Sequence, residues 1–376
     1  VTENCGIYIH TPFCAEKCHY CSFYSIPVKG DDNRIELYKN RLVEEIEGWY
    51  SSPSDVNADT VYFGGGTPSL LGSRGISSIL EFINKKFTLA SDCEITIEMN
   101  PDHLSEDNLK ILAEAGVNRI VLGVQTLNDD MRDAIGRKGK LCGDADLDLF
   151  FSCGDFTRSI DIIGGLPGQR WEDLSDDIEK IILYMPDHIS LYLLSVEKGT
   201  PLSRRFKPDD TFENHQLALW EKSIKLLKSN GYEHYEISNF ALNGAYSRHN
   251  MKYWTFQQYI GFGPGAHSFF ENRRYHNSPD FDMYFSGTES VFIEDIRTSS
   301  DAAVEFIMTS LRLINGFRPE RFREVTGYNL PEEIIKNLLK LKDEGLLESD
   351  GDLFRVNPGS LGILDTIVYR ITEPLL

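Results

Sequence analysis

The chain has 376 residues, 41% hydrophobic and 26% charged, with 38 Lys and Arg against 58 Asp and Glu and a formal net charge of −20. That length accommodates one large domain and a smaller one, and the apolar content is enough for a sizeable core. The acidity argues against nucleic-acid binding, which neutralises phosphates with Lys and Arg; no apolar run is long enough to span a bilayer, so no membrane anchor is expected.

Val1–Tyr8 lacks the charged-then-apolar pattern of a signal peptide, and a cytoplasmic location is expected. Seven cysteines, an odd number thinly spread, do not read as a disulfide framework. Three of them fall within eight residues, at Cys14, Cys18 and Cys21.

In chain order, six short β-rich runs alternate with helical stretches. The predicted strands are Gly6–His10, Thr60–Phe63, Glu94–Glu98, Arg119–Val124, Ser159–Ile163 and His188–Leu194. Between the first two, Ile35, Leu42, Ile46 and Trp49 share one helical face. A helix over Ser105–Ala115 opens on an N-cap Ser and stops at Gly116, and another over Glu172–Tyr184 stops before Pro186.

Strand–helix alternation predicts parallel strands with helical crossovers, as a doubly wound open sheet or as a full or partial (β/α) barrel. Either closure gathers ligands at the carboxyl ends of the strands. The cysteines follow the first strand, Gly64-Gly65-Gly66-Thr67-Pro68 follows the second, Glu98 and Gln125 end the third and fourth, and Asp161 lies in the fifth.

From Pro201 to about Glu289 the texture changes to one long helix, Phe212–Asn230, and Gly- and aromatic-rich segments. Beyond Ser300, helices over Ala302–Ile314, Pro319–Val325 and Pro331–Glu344 precede two strands, 345–348 and 353–356, joined by a tight turn. Helices followed by a β-wing read as a winged-helix-like module.

Three thiols spaced CxxxCxxC on one loop suit an iron–sulfur cluster and leave one iron of a [4Fe-4S] cube open to a small chelating molecule. The competing reading is zinc, with His19 or His10 as a fourth ligand, although no second CxxC knuckle is present. The glycines after the second strand allow close backbone approach to a ligand. Glu98 or Asp161 at a strand end suits ribose hydroxyls, and Arg137 suits a carboxylate. Singly, each of these is more often an ordinary loop residue.

Together, Tyr8-Ile-His10-Thr-Pro12-Phe13-Cys14 with its CxxxCxxC, the GGGTP run, Glu98-Met-Asn-Pro101, Gly123-Val-Gln125 and the stretch Asp161 to Gln169 resemble the oxygen-independent coproporphyrinogen III oxidase-like family of radical S-adenosylmethionine (SAM) proteins. The resemblance runs from Gly6 through the C-terminal module. It implies an α/β fold, a partial (β/α)6 TIM-like barrel with a C-terminal helical, winged-helix-like domain. It divides the chain into a barrel core (1–200), a barrel-completing and substrate-side segment (201–290) and a C-terminal domain (291–376).

It also implies a [4Fe-4S] cluster on Cys14, Cys18 and Cys21 and reductive cleavage of SAM to a 5'-deoxyadenosyl radical. Tyr8 would pack by the cluster and the sulfonium. Gly66 and Thr67 would bind the methionine moiety, Glu98, Gln125 and Arg137 would lie at the amino-acid end or its surroundings, and Asp161 would meet the ribose.

Two branches of the family differ in function. The oxidase branch removes carboxyl groups from two propionates of coproporphyrinogen III and carries CxxxCxxCxC; here Phe23 stands where the fourth Cys would be. The haem chaperone branch carries HNxxYW, matched by His249-Asn250-Met-Lys-Tyr253-Trp254. The resemblance to that branch implies haem as a further ligand, delivery to a haem-accepting respiratory protein, and an electron donor. His249 is the candidate haem ligand, against the plainer reading of a hydrogen-bonded loop residue; His267 is the next candidate. The segment 138–156, with Cys142 and Cys153, departs from the family pattern and leaves the shape of that helix open. Those two cysteines, with Cys5 and Cys93, read as small apolar residues.

Overall fold

Alternation of apolar and polar side chains organises the first half of the chain. The structure, a computed structural model, describes residues 4–29, 32–49, 56–286, 291–293 and 298–375. Strands β1 (Cys5–Thr11), β2 (Asn57–Gly65), β3 (Thr88–Met99), β4 (Arg119–Gln125), β5 (Thr157–Gly164) and β6 (His188–Leu193) pair in parallel in chain order. A doubly wound sheet reverses its strand order at a switch point. No reversal occurs between β1 and β6, so the barrel alternative is the one this chain adopts.

Successive residues of a strand point to opposite faces. One face presents Ile7, Ile9, Val61, Phe63, Ile97, Ile120, Leu122, Ile160, Ile162 and Ile189, all buried in the main apolar core. Helices α1 (Asn33–Gly48), α2 (Ser73–Lys86), α3 (Glu106–Glu114), α4 (Asp129–Ala134), α5 (Asp144–Ser152) and α6 (Trp171–Ile182) occupy the crossovers. Leu42 and Ile46 of α1, Ile79 and Ile83 of α2 and Ile178 and Ile181 of α6 join that core.

Register puts Tyr8 beside Tyr62, Thr96 beside Arg119, Gly123 beside Asp161 and Asp161 beside Ser190. The other face of the sheet is therefore polar. A polar lining costs stability unless it meets partners or a ligand. The helix ends follow local chemistry: the Ser105 hydroxyl accepts the Asn108 N–H at 3.2 Å, and α3 terminates at Gly116 with φ +92°. The divergent segment 138–156 does form a helix, α5, preceded by the buried Cys142.

After the long α7 (Asp210–Ser229) come β7 (Glu233–Glu236) and β8 (Asn239–Ala241); β8 adds antiparallel to β6 and β7 antiparallel to β8. Helix α8 (Arg248–Trp254) leads to β9 (Tyr259–Phe262), which returns to pair parallel with β1. Strands β10 (His267–Phe270) and β11 (Arg273–Asn277) then continue the sheet antiparallel, followed by α9 (Phe281–Ser286) and β12 (Val291–Ile293). The sheet order is β12-β11-β10-β9-β1-β2-β3-β4-β5-β6-β8-β7.

The remaining residues form α10 (Ser299–Ser310), α11 (Pro319–Thr326), α12 (Glu332–Asp343), a hairpin of β13 (Leu347–Asp350) and β14 (Leu353–Val356) around Gly351, and α13 (Leu364–Thr372). Helix α10 stops before the expected Ile314. Its continuation instead pairs with the β7 edge, where Ile237 N–H donates to Arg312 O and Ile314 N–H to Tyr235 O, each at 3.1 Å. The hairpin begins two residues later than expected, because Gly345 (φ +78°) first ends α12. Among the described residues no helix is long and apolar enough to cross a membrane.

Candidate cofactor site

The loop after β1 leaves the barrel at Thr11. It is tied down by backbone bonds from Ile26 N–H to Pro12 O (2.6 Å) and from Val28 N–H to Cys14 O (2.8 Å). Phe13 anchors it in the core against Tyr38 and Phe281. This places Cys14, Cys18 and Cys21, all half-buried free thiols, on one cavity of about 770 Å³. Burial pushes the Cys21 thiol up from its ordinary value.

The carboxyl ends of the next four strands complete the wall. Gly66 and Thr67 follow β2, Glu98 comes from β3, Gln125 from β4 and Asp161 from β5, and all line the cavity, as does Arg137 beyond α4. Gly66 donates its N–H to Thr11 O at 2.7 Å. A Cβ there would sit 2.4 Å from Phe13 O and 3.0 Å from Thr11 O, so any side chain at this position would collide with the backbone of the thiol loop. The Thr67 hydroxyl lies 3.6 Å from Cys14 Sγ.

Gln125 adopts φ +68°, strained for a non-glycine residue, where the β4–β5 register slips. Arg137 donates to Asn100 Oδ1 (2.9 Å), Gly123 O (3.0 Å) and the Tyr20 hydroxyl (3.3 Å), with Cys18 Sγ 3.9 Å away. Asn100 and Tyr20 are cavity residues that sequence reasoning did not single out. Asn100 lies within the motif Glu98-Met-Asn-Pro101, but nothing in the sequence marks it as the partner of Arg137.

Two carboxyls face each other in this wall. Burial, with the Asp161 charge second, pushes Glu98 up to about 8. Burial likewise pushes Asp161 up to about 6, against the Ser190 hydroxyl and Arg137. Tyr62 donates to Glu98 Oε1 at 2.8 Å. Asp161 Oδ1 is buried without a hydrogen-bond partner among the described residues. A buried oxygen left so calls for a donor from a ligand.

Tyr8 stands one layer behind this wall. Its hydroxyl meets His10 Nδ1 at 3.1 Å, and its ring stacks on Tyr62 at 6.2 Å between centroids.

His249 is not brought to the cavity. It sits in α8 at the opposite end of the barrel, 1% exposed, with Nδ1 2.8 Å from Thr60 Oγ1 and Nε2 2.9 Å from the Tyr253 hydroxyl. Both ring nitrogens are engaged, so as placed it offers none to a haem iron. This is the plainer, hydrogen-bonded reading of the residue, in a helix where a loop was expected. His267 lies on the exposed side of β10.

Three soft sulfur donors, a glycine backbone beside them and an orphaned buried carboxylate oxygen fit a [4Fe-4S] cluster and SAM. Among the described residues no three or more His, Cys, Asp or Glu side chains are gathered as a single metal ion would need. The zinc alternative therefore finds no four-ligand set there, whereas a cubane holds each thiolate on a separate iron. A bound cluster supplies an electron for reductive cleavage of SAM. The chain's own residues would supply position: the thiols would hold the cluster, Gly66 and Thr67 the methionine moiety, Arg137 would lie at the amino-acid end, and Asp161 would meet the ribose hydroxyls.

Adding a methyl at Gly66 should displace the loop. Gly66→Ala is expected to weaken SAM binding at least tenfold and to destabilise by about 1–3 kcal/mol, the usual cost of overpacking, measured by equilibrium SAM binding and thermal unfolding.

Residues 8–181 match the Radical SAM superfamily and residues 298–359 the HemN C-terminal domain. Barrel, thiol loop and these matches define a radical-SAM protein, a class whose members carry a [4Fe-4S] cluster and SAM. The chain is 32% identical over 369 residues to the protein named heme chaperone HemW of Bacillus subtilis (strain 168), across 94% of this chain and 96% of that one. It is also 32% identical over 341 residues to heme chaperone HemW of Escherichia coli (strain K12), across 88% of each. The chain belongs to the HemW family of radical-SAM proteins. The structure of the E. coli coproporphyrinogen III oxidase HemN, described as a radical SAM enzyme, superposes with a TM-score of 0.82 at 20% identity, covering 100% of this chain and 91% of that one, which establishes the shared fold.

Proposed function

We propose that this protein is a radical-SAM haem chaperone. It holds a [4Fe-4S] cluster on Cys14, Cys18 and Cys21, binds SAM along the strand ends, binds haem, and passes the haem to a respiratory haem protein. The observation that carries the cofactor half is the convergence of the three thiols, the Gly66 backbone and the unpartnered Asp161 oxygen on one cavity.

The choice against the oxidase rests on Phe23. It lines the same cavity, 66% exposed, at the position of the oxidase's fourth cysteine. Its carbonyl accepts Lys17 Nζ at 2.9 Å, and its phenyl ring cannot ligate iron. The relatives named haem chaperones support the same choice. A separate donor must supply the electron. Seven unpaired cysteines suit a reducing compartment, in keeping with the cytoplasm. We assign residues 1–200 to the cofactor barrel, 201–290 to its completion and the substrate side, and 291–376 to the C-terminal module.

The test is an anaerobic preparation with its cluster reconstituted. Haem titration should give saturable, stoichiometric binding. Incubation of coproporphyrinogen III with SAM and a reductant should leave the porphyrinogen intact. Stoichiometric formation of protoporphyrinogen would replace this reading with the oxidase.

A further inference from the structure

The His249 imidazole is held from both sides, yet the site at the far end of the barrel does not touch it. Thr60 Oγ1 fixes Nδ1 at 2.8 Å and the Tyr253 hydroxyl fixes Nε2 at 2.9 Å. Its ring lies against Tyr62 at 5.2 Å between centroids and 30° between planes, and against Tyr8 at 6.2 Å. Tyr62 in turn donates to Glu98 Oε1 at 2.8 Å, and Glu98 lines the cofactor cavity.

The assembly is tight. A Cβ built on Gly64 would lie 2.9 Å from the Tyr62 ring, 3.1 Å from Glu98 Oε1 and 3.1 Å from the Tyr8 ring. A ring so confined cannot tilt without moving the carboxylate that its hydroxyl holds, because packed interiors transmit displacement instead of absorbing it.

We infer that His249 is a positioning residue of the SAM site, acting through the Tyr62 ring to hold the Glu98 carboxylate against the cavity. Burial, with the Lys252 charge second, pushes His249 down to about 3, so the imidazole is neutral over the working range and acts as a fixed hydrogen-bonded plate. The motif that includes His249 thus serves SAM from behind the barrel wall. This rests on SAM occupying the cavity, the reading proposed above.

The experiment is a double-mutant cycle on cluster-loaded protein, reading the SAM dissociation constant, the change in the reduced cluster's EPR signal on SAM addition, and the haem dissociation constant. His249→Ala and Tyr62→Phe should each weaken SAM binding about tenfold, the scale of one hydrogen bond. The double variant should be no weaker than the worse single, since both act on one carboxylate. The EPR response should shrink in step, and haem affinity should not move.

Should His249→Ala fold poorly, Thr60→Val keeps the side-chain shape, removes one anchor of the imidazole, and should show a smaller loss in the same direction. Additive losses, or a His249 variant that loses haem while keeping SAM, overturn the inference. Wild-type protein that binds neither cluster nor SAM would instead overturn the reading on which it rests.

Discussion

Replacing Cys14, Cys18 and Cys21 together by Ala is expected to abolish bound iron and acid-labile sulfide while the barrel stays folded. The thiols are half-buried on the cavity wall and contribute little to the apolar core, so truncating them costs stability on the scale of ordinary surface substitutions, within about 0.5 kcal/mol each. The loop keeps its course without them. Phe13 remains wedged beside Tyr38 and Phe281, and the backbone bonds to Pro12 and Cys14 oxygens do not depend on sulfur.

A cubane, in contrast, loses all three of its thiolates at once. The side chains bonded to the thiols are Thr67 at Cys14 and Arg137 at Cys18, a hydroxyl and a cation, and neither replaces a thiolate. Iron and sulfide assays after anaerobic reconstitution, with circular dichroism on the same samples, check both halves. Full metal content in the triple variant would remove the cluster assignment, and unfolding would show the loop to be structural. SAM binding should fall with the cluster, because the open iron is the chelation point implied for the methionine end.

Much of the barrel was legible because the six strands contain short apolar runs closed by turn residues, and the first five each carry a rim residue where parallel topology puts ligands. Cys14, Gly66, Glu98, Gln125 and Asp161 fall on one cavity for that reason. Strand β9 was not legible. Four residues, Tyr259–Phe262, between glycines and aromatics carry too little periodicity to reveal that they return to β1.

The placement of His249 was hidden for a different cause. Helix α8 closes the barrel base through contacts distant in sequence. Lys252 pairs with Asp59 at 2.7 Å, Arg248 donates to the Asp92 carbonyl at 2.6 Å, and the His249 N–H donates to Glu94 at 3.2 Å. Arg119, buried, adds bonds to the Ala245 and Tyr246 carbonyls at 3.1 Å. The motif read alone leaves a haem ligand and a hydrogen-bonded loop residue both open; this ion pair and these hydrogen bonds turn the same residues inward. Tyr62 had a usable signal, since strand alternation puts it on the face of Gly64 and Tyr8, but a tyrosine in a strand is more often core.

Glu98→Gln is expected to stabilise the ligand-free protein at alkaline pH and to weaken SAM binding. Burial, and then Asp161, lift the Glu98 carboxyl to about 8, while in the unfolded chain it titrates in the ordinary carboxylate range. The folded protein therefore holds a proton that the unfolded one releases. Such a group contributes fully below the unfolded value, and its contribution is lost as pH rises through the folded value. Asp161, lifted to about 6, loses its contribution first, and Glu98 follows. At pH 9 the wild type carries both carboxylates charged in a partly dry wall, at a cost on the order of a few kcal/mol.

The amide removes the Glu98 share and can still accept the Tyr62 hydroxyl. The melting temperature of Glu98→Gln should exceed that of the wild type by roughly 2–6 °C at pH 9, with the difference closing toward pH 5. SAM carries a permanent sulfonium charge, so the wild-type site should bind it more tightly as Glu98 ionises between pH 6 and 9. The variant should bind about tenfold more weakly at pH 9 and lose that pH dependence, since the amide offers no charge. Melting curves and SAM titrations across pH 5–9 on both proteins decide it. A stability gain that does not vary with pH would show that the buried acid is not its source.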